Sequence, residues 1–425
     1  MRVILIALFL FVCSSCSHTA TEKEGKLMSM QIIDRNGFAE TISSKDRLTP
    51  FENTDFDSAQ PYQKVVRVFG KSSSGQQLSK ITSYHPNGNL HQYLEVVSGR
   101  ANGYFREWFP SGTKKIECYV IEGTPDINEL AQVSWVFDQT SFVWDEEGTL
   151  VAEIHYNKGA LEGPSSYYHK NGQLEKTIPY HKNLIDGTLF VYRDDGQLLE
   201  QVTYNQGLKE GSALAYRKDN TLLYQEEYNQ DKLITGSYFD TQGILITSIT
   251  DGMGKQALFK NDTLYSLIEY KKGIPEGKVE FFSPLGDLCS YYHILNGLKS
   301  GEEVEYYPTT TGSLMPKLSL QWNEDTIEGI VKTWYENGVL ESQREVSQNK
   351  KQGLSFAWYK DGSLMFMEDY DNDILTTGSY LKKGDKTPVS KVENGKGIAT
   401  IYDSKGRFQK KITYEKGLPQ LDDKK

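Results

Sequence analysis

Tyr168-His169-Lys170-Asn171-Gly172-Gln173-Leu174 places an aromatic residue four positions before a glycine and a leucine two positions after it, and the phrase recurs down most of the 425-residue chain. Taking the glycine or its substitute as anchor, it is centred on Gly88, Gly112, Gly148, Gly172, Gly196, Asn220, Gly243, Asp262, Gly286, Gly312, Gly338, Gly362, Gly384 and Gly406. The spacing is mostly 24 residues, with one gap of 36 between Gly112 and Gly148. Twelve of the fourteen phrases have the aromatic; only Leu258 and Pro308 interrupt the column. Eight positions after the anchor, tyrosine returns at Tyr156, Tyr180, Tyr204, Tyr228, Tyr270, Tyr370 and Tyr414. A second pair of glycines stands eleven and fifteen positions after it, as in Gly159 with Gly163 and Gly273 with Gly277. A period of this length marks a repeat architecture, in which each unit is too small to bury its own apolar face and stacks on its neighbours.

The phrase also fixes local geometry. Proline two places before the anchor, at Pro86, Pro110 and Pro284, suits the first central position of a type I turn, and the anchor glycine then takes the left-handed conformation. That combination is a three-residue hairpin loop with a glycine bulge. Across it, the aromatic, the leucine and the returning tyrosine share one face. The later glycines mark the reversal into the next hairpin. The expected fold is all-β: an elongated, twisted antiparallel array of about fourteen hairpins paired edge to edge. At about 4.8 Å per strand it would reach on the order of 130 Å.

Units such as Tyr204-Asn205-Gln206-Gly207-Leu208-Lys209-Glu210-Gly211, and the run Gly329 to Leu340 with Trp334 and Gly338, resemble the bacterial variant of the MORN (membrane occupation and recognition nexus) repeat. The resemblance covers about residues 80 to 417. It implies a repeat-built binding protein, and relatives often labelled antitoxins of toxin-antitoxin systems.

The N-terminus carries an address. Met1-Arg2 precedes ten unbroken apolar residues, Val3 to Val12, too short to span a bilayer and suited to an export signal. Ser14-Ser15-Cys16 then resembles a lipoprotein processing site, with Cys13 standing where leucine is usual. The resemblance implies cleavage after residue 15, acylation of Cys16 and, with Ser17 following, delivery to the bacterial outer membrane. Three acyl chains, as the resemblance implies, would hold the protein firmly, since two lipid signals already suffice for stable anchoring. Residues 16–60 read as a tether and N-terminal cap, residues 61–419 as the array, and residues 420–425 as a disordered tail. The extra residues 124–136 break the period and read as an insertion.

Composition narrows the function. Lys and Arg number 47 against 57 Asp and Glu, a net charge of -10, which argues against a nucleic-acid partner. The chain is 38% hydrophobic but holds 27 tyrosines, consistent with half-buried rings packing a thin structure. The mature chain retains only Cys118 and Cys289, expected as separate thiols.

The chemical motifs are weak. Asp251 to Gln256 lacks the spacing of a phosphate loop, and Asp369-Asp371-Asp373 lacks the glycine and closing glutamate of a calcium loop. Ser347-Gln348-Asn349-Lys350 stands alone, and His85 and His169 read as surface strand residues. No catalytic, metal or cofactor site is expected. The aromatic column reads chiefly as packing. Phe109, Tyr335 and Tyr359 fall on the other face and are expected to be exposed and to contact a partner. The expected function is that of a non-enzymatic, membrane-anchored envelope scaffold or adaptor binding a protein or an envelope polymer. The alternative is an antitoxin-like or immunity-like protein that neutralises a toxin.

Overall fold

A computed structural model describes residues 27–60, 63–308 and 313–420. The export segment 1–15, Cys16, Gly312 and the tail residues 421–425 lie outside the described residues. The strands form one antiparallel sheet of 36 strands that does not close, as the hairpin phrase demands. The chain divides into two compact units, Met1–Gly196 and Gln197–Lys425.

At the loop that opened the reading, the Gly172 N–H donates to the His169 carbonyl and the His169 N–H to the Gln173 carbonyl, both at 2.8 Å, with Gly172 at φ 81°. This is the expected three-residue loop. The aromatic and the leucine are direct cross-strand partners: Tyr168 with Leu174, Trp334 with Leu340, Trp358 with Leu364. A register shift beside each aromatic absorbs the bulge. Asp262 departs from the scheme. There Lys260 pairs with Thr263, and Asn261 and Asp262 form a two-residue turn with φ of 50° and 61°.

The opposite edge uses two-residue turns throughout the repeats, with both residues at positive φ. Examples are Lys158-Gly159, Gln230-Asp231 and Asn372-Asp373. Asn or Asp replaces glycine at several of them because a short polar side chain tolerates this conformation. That side chain also binds the preceding repeat. Asp373 Oδ1 accepts the Lys351 N–H at 2.8 Å while the Asp373 N–H donates to the Lys351 carbonyl at 3.0 Å. Asn183 with Leu161, Asp231 with Lys209, Asp325 with Lys299 and Asn349 with Ile327 repeat this two-bond staple.

Several of these turns are followed four residues on by a glycine with a cause of its own. At Gly277, with φ 117°, a Cβ would stand 2.3 Å from Glu269 Oε2, which accepts the Lys278 N–H at 2.8 Å. The carboxylate of the neighbouring strand fills the space a side chain would need. Glu95 lies against Gly103 and Glu345 against Gly353 in the same way.

In the first unit, strand Leu27–Asp34 pairs with Gln63–Lys71 and Ala39–Ile42 pairs with Leu27–Asp34, extending the sheet, and helix Lys45–Leu48 and the turn Thr49–Phe51 follow, with Met30, Ile42, Leu48, Val66 and Tyr84 buried together. The segment 124–136 neither adds a strand pair nor projects as a bare loop. It holds helix Glu129–Gln132, capped where the Asn128 side chain accepts the Ala131 N–H, and seats Trp135 against Phe105 at 4.8 Å. Cys118 is buried in that cluster, and its thiol is pushed up to about 12 by burial and then by the charge of Glu117. Cys289, in the second unit, is exposed, and both cysteines are free.

The second unit contains three small cores, centred on Leu233, Leu375 and Val331. Around the first, three turns meet backbone to backbone. Leu233 N–H donates to the Gly273 carbonyl, Gly273 N–H to Gly252, and Gly252 N–H to Ile234. Leu375, Gly417, Gly395 and Thr376 reproduce that junction.

Candidate functional site

Strand Leu222–Asn229 carries Tyr224, Glu226 and Tyr228 on one face, at the alternation of a β-strand. Directly opposite Glu226 is Gly236, and two strands further on lies Met253–Lys260. Gly236 has a reason to lack a side chain: its Cβ would come 2.6 Å from the Tyr238 hydroxyl. With that space open, Tyr238 folds over the sheet and donates to Glu226 Oε1 at 2.7 Å. Gln256 reaches across the intervening strands to the same oxygen at 2.7 Å, and Tyr228 donates to Oε2 at 2.8 Å. Tyr270 donates in turn to Gln256 Oε1 at 2.9 Å.

Glu226 is only 4% exposed, and the groups that hydrogen-bond to it, Tyr228, Tyr238 and Gln256, are neutral donors. Three hydrogen bonds offset the desolvation of the buried carboxylate. Burial, followed by the charge of Glu226, pushes the hydroxyls of Tyr228 and Tyr238 far above their ordinary range and that of Tyr270 up to about 12. The tyrosines therefore remain donors at neutral pH.

This nest occurs twice. Glu368, Tyr370, Gly378 and Tyr380 each lie 142 residues after Glu226, Tyr228, Gly236 and Tyr238. Tyr370 and Tyr380 donate to Glu368 at 3.1 and 2.8 Å, and a Cβ on Gly378 would stand 2.7 Å from the Tyr380 hydroxyl. A lysine caps each nest: Lys209 Nζ lies 4.7 Å from the centre of the Tyr228 ring and Lys351 Nζ 4.4 Å from that of Tyr370. Beside the first nest the sheet forms a cleft of about 470 Å³ lined by Tyr224, Phe259 and Tyr265 together with Glu226 and Gln256.

The residues expected to contact a partner are distributed differently. Tyr335 and Tyr359 are buried, 6% and 0% exposed, which corrects their reading as solvent-facing rings. The reason is their place at the first corner of the glycine loop, where the side chain lies along the edge and reaches the next repeat. Tyr335 donates to the Trp358 carbonyl at 2.8 Å and Tyr359 to the Leu381 carbonyl at 2.7 Å. Burial, then nearby charges and hydroxyls, pushes both up to about 12. Phe109 is half-buried at the same corner in the other compact unit, with Lys115 Nζ 5.8 Å from its ring centre.

His85 and His169 occupy this corner too and are part of the stitching, not plain surface residues. Their Nε2 atoms lie 2.8 and 2.9 Å from the carbonyls of Trp108 and Tyr192. A carbonyl only accepts, so Nε2 carries the proton. Asp251-Gly252 is a turn whose backbone is committed to the Leu233 junction, and Ser347 donates to Glu328 at 2.9 Å. Among the described residues no group of three His, Cys, Asp or Glu side chains could hold a metal ion.

Three segments, residues 161–182, 185–206 and 327–347, match the MORN repeat variant. No curated protein matches the chain. Among solved structures, the crystal structure of TcdB2-TccC3-TEV is 12% identical over 90% of this chain and 24% of its own, with a TM-score of 0.15. A porin-like protein from Bacteroides uniformis ATCC 8492 is 12% identical over 61% of this chain and 95% of its own, with a TM-score of 0.14. The chain thus spans about a quarter of the first of these.

Proposed function

We propose that the chain is a non-enzymatic repeat scaffold that binds an envelope protein or polymer, held at the bacterial outer membrane by acylated Cys16. The observation that carries the binding role is the aromatic cleft over Glu226, where rings, a carboxylate, an amide and lysines converge. The three MORN-variant segments are consistent with binding through repeats. The anchor rests on the ten apolar residues ahead of Ser14-Ser15-Cys16.

In-cell crosslinking followed by affinity purification tests both parts. The expected result is a protein that fractionates with membranes and enriches a defined envelope component, which the purified chain then binds saturably. Cys16→Ser should move it to the soluble fraction. Membrane retention of that variant overturns the anchor, and the absence of any enriched component overturns the scaffold role.

A further inference from the structure

Resting on that binding role, we propose that the cleft beside strand Leu222–Asn229 is a saccharide site. Its chemistry is mixed. Tyr224, Phe259 and Tyr265 line it, and Tyr265 is 45% exposed. The Glu226 carboxylate, the Gln256 amide, Lys209 and Lys260 line the same cleft.

The groups retain unused capacity of both kinds. A carboxylate offers about four acceptor positions, and the three donors on Glu226 leave one. Gln256 directs its amide N–H groups to Glu226 and the Tyr228 hydroxyl and its oxygen to Tyr270, so the spare donors come from lysine. Lys209 Nζ is over the Tyr228 ring, and an ammonium brings three donors. Vicinal sugar hydroxyls, each a donor and an acceptor, match such a set, while the C–H faces of a pyranose match the rings.

Other ligand classes use the site less well. An extended peptide adds to a sheet through an unpaired edge. Strands Leu222–Asn229 and Thr263–Lys271 are paired on both sides and offer none, whereas Met253–Lys260 is paired with Leu245–Thr250 only at Met253 and Gly254; a peptide added along the rest of that strand would bind through backbone and be insensitive to Tyr265→Ala and Gln256→Ala/Lys260→Asp. A polyanion would meet the Glu226 charge in the floor. An acyl chain would strip water from Glu226, Lys209 and Lys260 without returning hydrogen bonds.

The second nest separates support from recognition. It keeps the carboxylate and its two tyrosines, but in the equivalent register Ala399 stands in the place of Gln256 and Asp403 in that of Lys260. The carboxylate–tyrosine nest is therefore a folding element, and the amide and lysine are what the cleft adds to it.

The full chain is titrated by calorimetry with chitotetraose, maltotetraose, cellotetraose and xylotetraose. At least one of these is expected to bind with a submillimolar dissociation constant. Tyr265→Ala and the pair Gln256→Ala/Lys260→Asp should each weaken it about tenfold or more. Leu130→Ala, an exposed side chain in the other unit, should leave it unchanged. Tyr265 is exposed enough that its removal leaves the fold intact, which unchanged urea unfolding verifies. Failure of all four sugars to bind, or binding that survives both cleft variants, overturns the proposal. If the sugars fail while crosslinking still delivers a saturable envelope partner, the scaffold role stands and the saccharide site falls.

Discussion

Truncating Tyr359 distinguishes a ring that waits for a partner from one that joins two repeats. A solvent-facing side chain can be removed for about 0.5 kcal/mol or less. Tyr359, fully buried, has its hydroxyl 2.7 Å from the Leu381 carbonyl in the next repeat. Tyr359→Phe keeps the ring and removes that donor, at a cost of about 1–2 kcal/mol. Tyr359→Ala also removes the packing of the ring and should cost about 3–5 kcal/mol. The assay is urea unfolding followed by tryptophan fluorescence, to which the adjacent Trp358 contributes. With an m-value of about 3 kcal/mol/M, the midpoint should fall by about 0.5 M for the phenylalanine variant and by more than about 1 M for alanine. An alanine variant within about 0.2 M of the parent would refute the stitching role and return Tyr359 to the surface.

Tyr238→Phe should destabilise by about 2 kcal/mol, because it removes one of three donors to the buried Glu226 carboxylate; combined with Glu226→Gln in a double-mutant cycle, the losses should be non-additive, and simple additivity would dissolve the nest. Gly277→Ala should cost more than Gly243→Ala, since both have positive φ but only Gly277 faces a carboxylate 2.3 Å from the added carbon; equal urea midpoints would contradict this. Stability should fall at alkaline pH. Folding raises the hydroxyl pKa of Tyr270, Tyr335 and Tyr359 from 10.0 to about 12, chiefly by burial, so their contribution is whole below pH 10 and is lost as pH rises through about 12. Urea midpoints measured from pH 8 to 12 check it, and a flat profile would count against the buried tyrosines.

The hairpin fold was legible because a strict period puts the same residue types in the same structural place. Tyr168, Gly172 and Leu174 declare a loop, a bulge and a face without reference to the rest of the chain. Period alone does not separate the face that meets solvent from the edge that meets the next repeat. Tyr335, one residue after a half-buried Trp334, alternates like an outward ring, yet its position at a loop corner turns it toward the neighbouring backbone. The equivalent placement of His85, His169, Arg217, Tyr335 and Tyr359 was a usable signal, since all are long side chains able to donate a hydrogen bond to a carbonyl. The substitutes for glycine at Asn183, Asp231 and Asp373 were a second signal, of turns that need positive φ and of staples made by the side chain.

The Glu226 nest was beyond the local pattern. Its four parts come from three strands spread over three successive turns, and the tyrosine column, read as packing, does not announce that a carboxylate lies beneath it. The shortened spacing of 19 residues between Gly243 and Asp262 marks the same place in the sequence. There the chain trades a three-residue loop for the Asn261-Asp262 turn.

The staples and corner bonds join residues 22 to 26 positions apart, so that each repeat is fastened to its immediate neighbour. Excising or copying one whole repeat would bring together surfaces of the kind already in contact, whereas the loss of a single residue would turn every later ring to the wrong face. The recurrence of the nest after 142 residues, six repeats on, has the form expected of such copying. In evolutionary terms the chain is a ruler with movable graduations: recombination can lengthen or shorten it by whole marks, and new recognition chemistry can be tried in one copy of a nest while the other keeps folding.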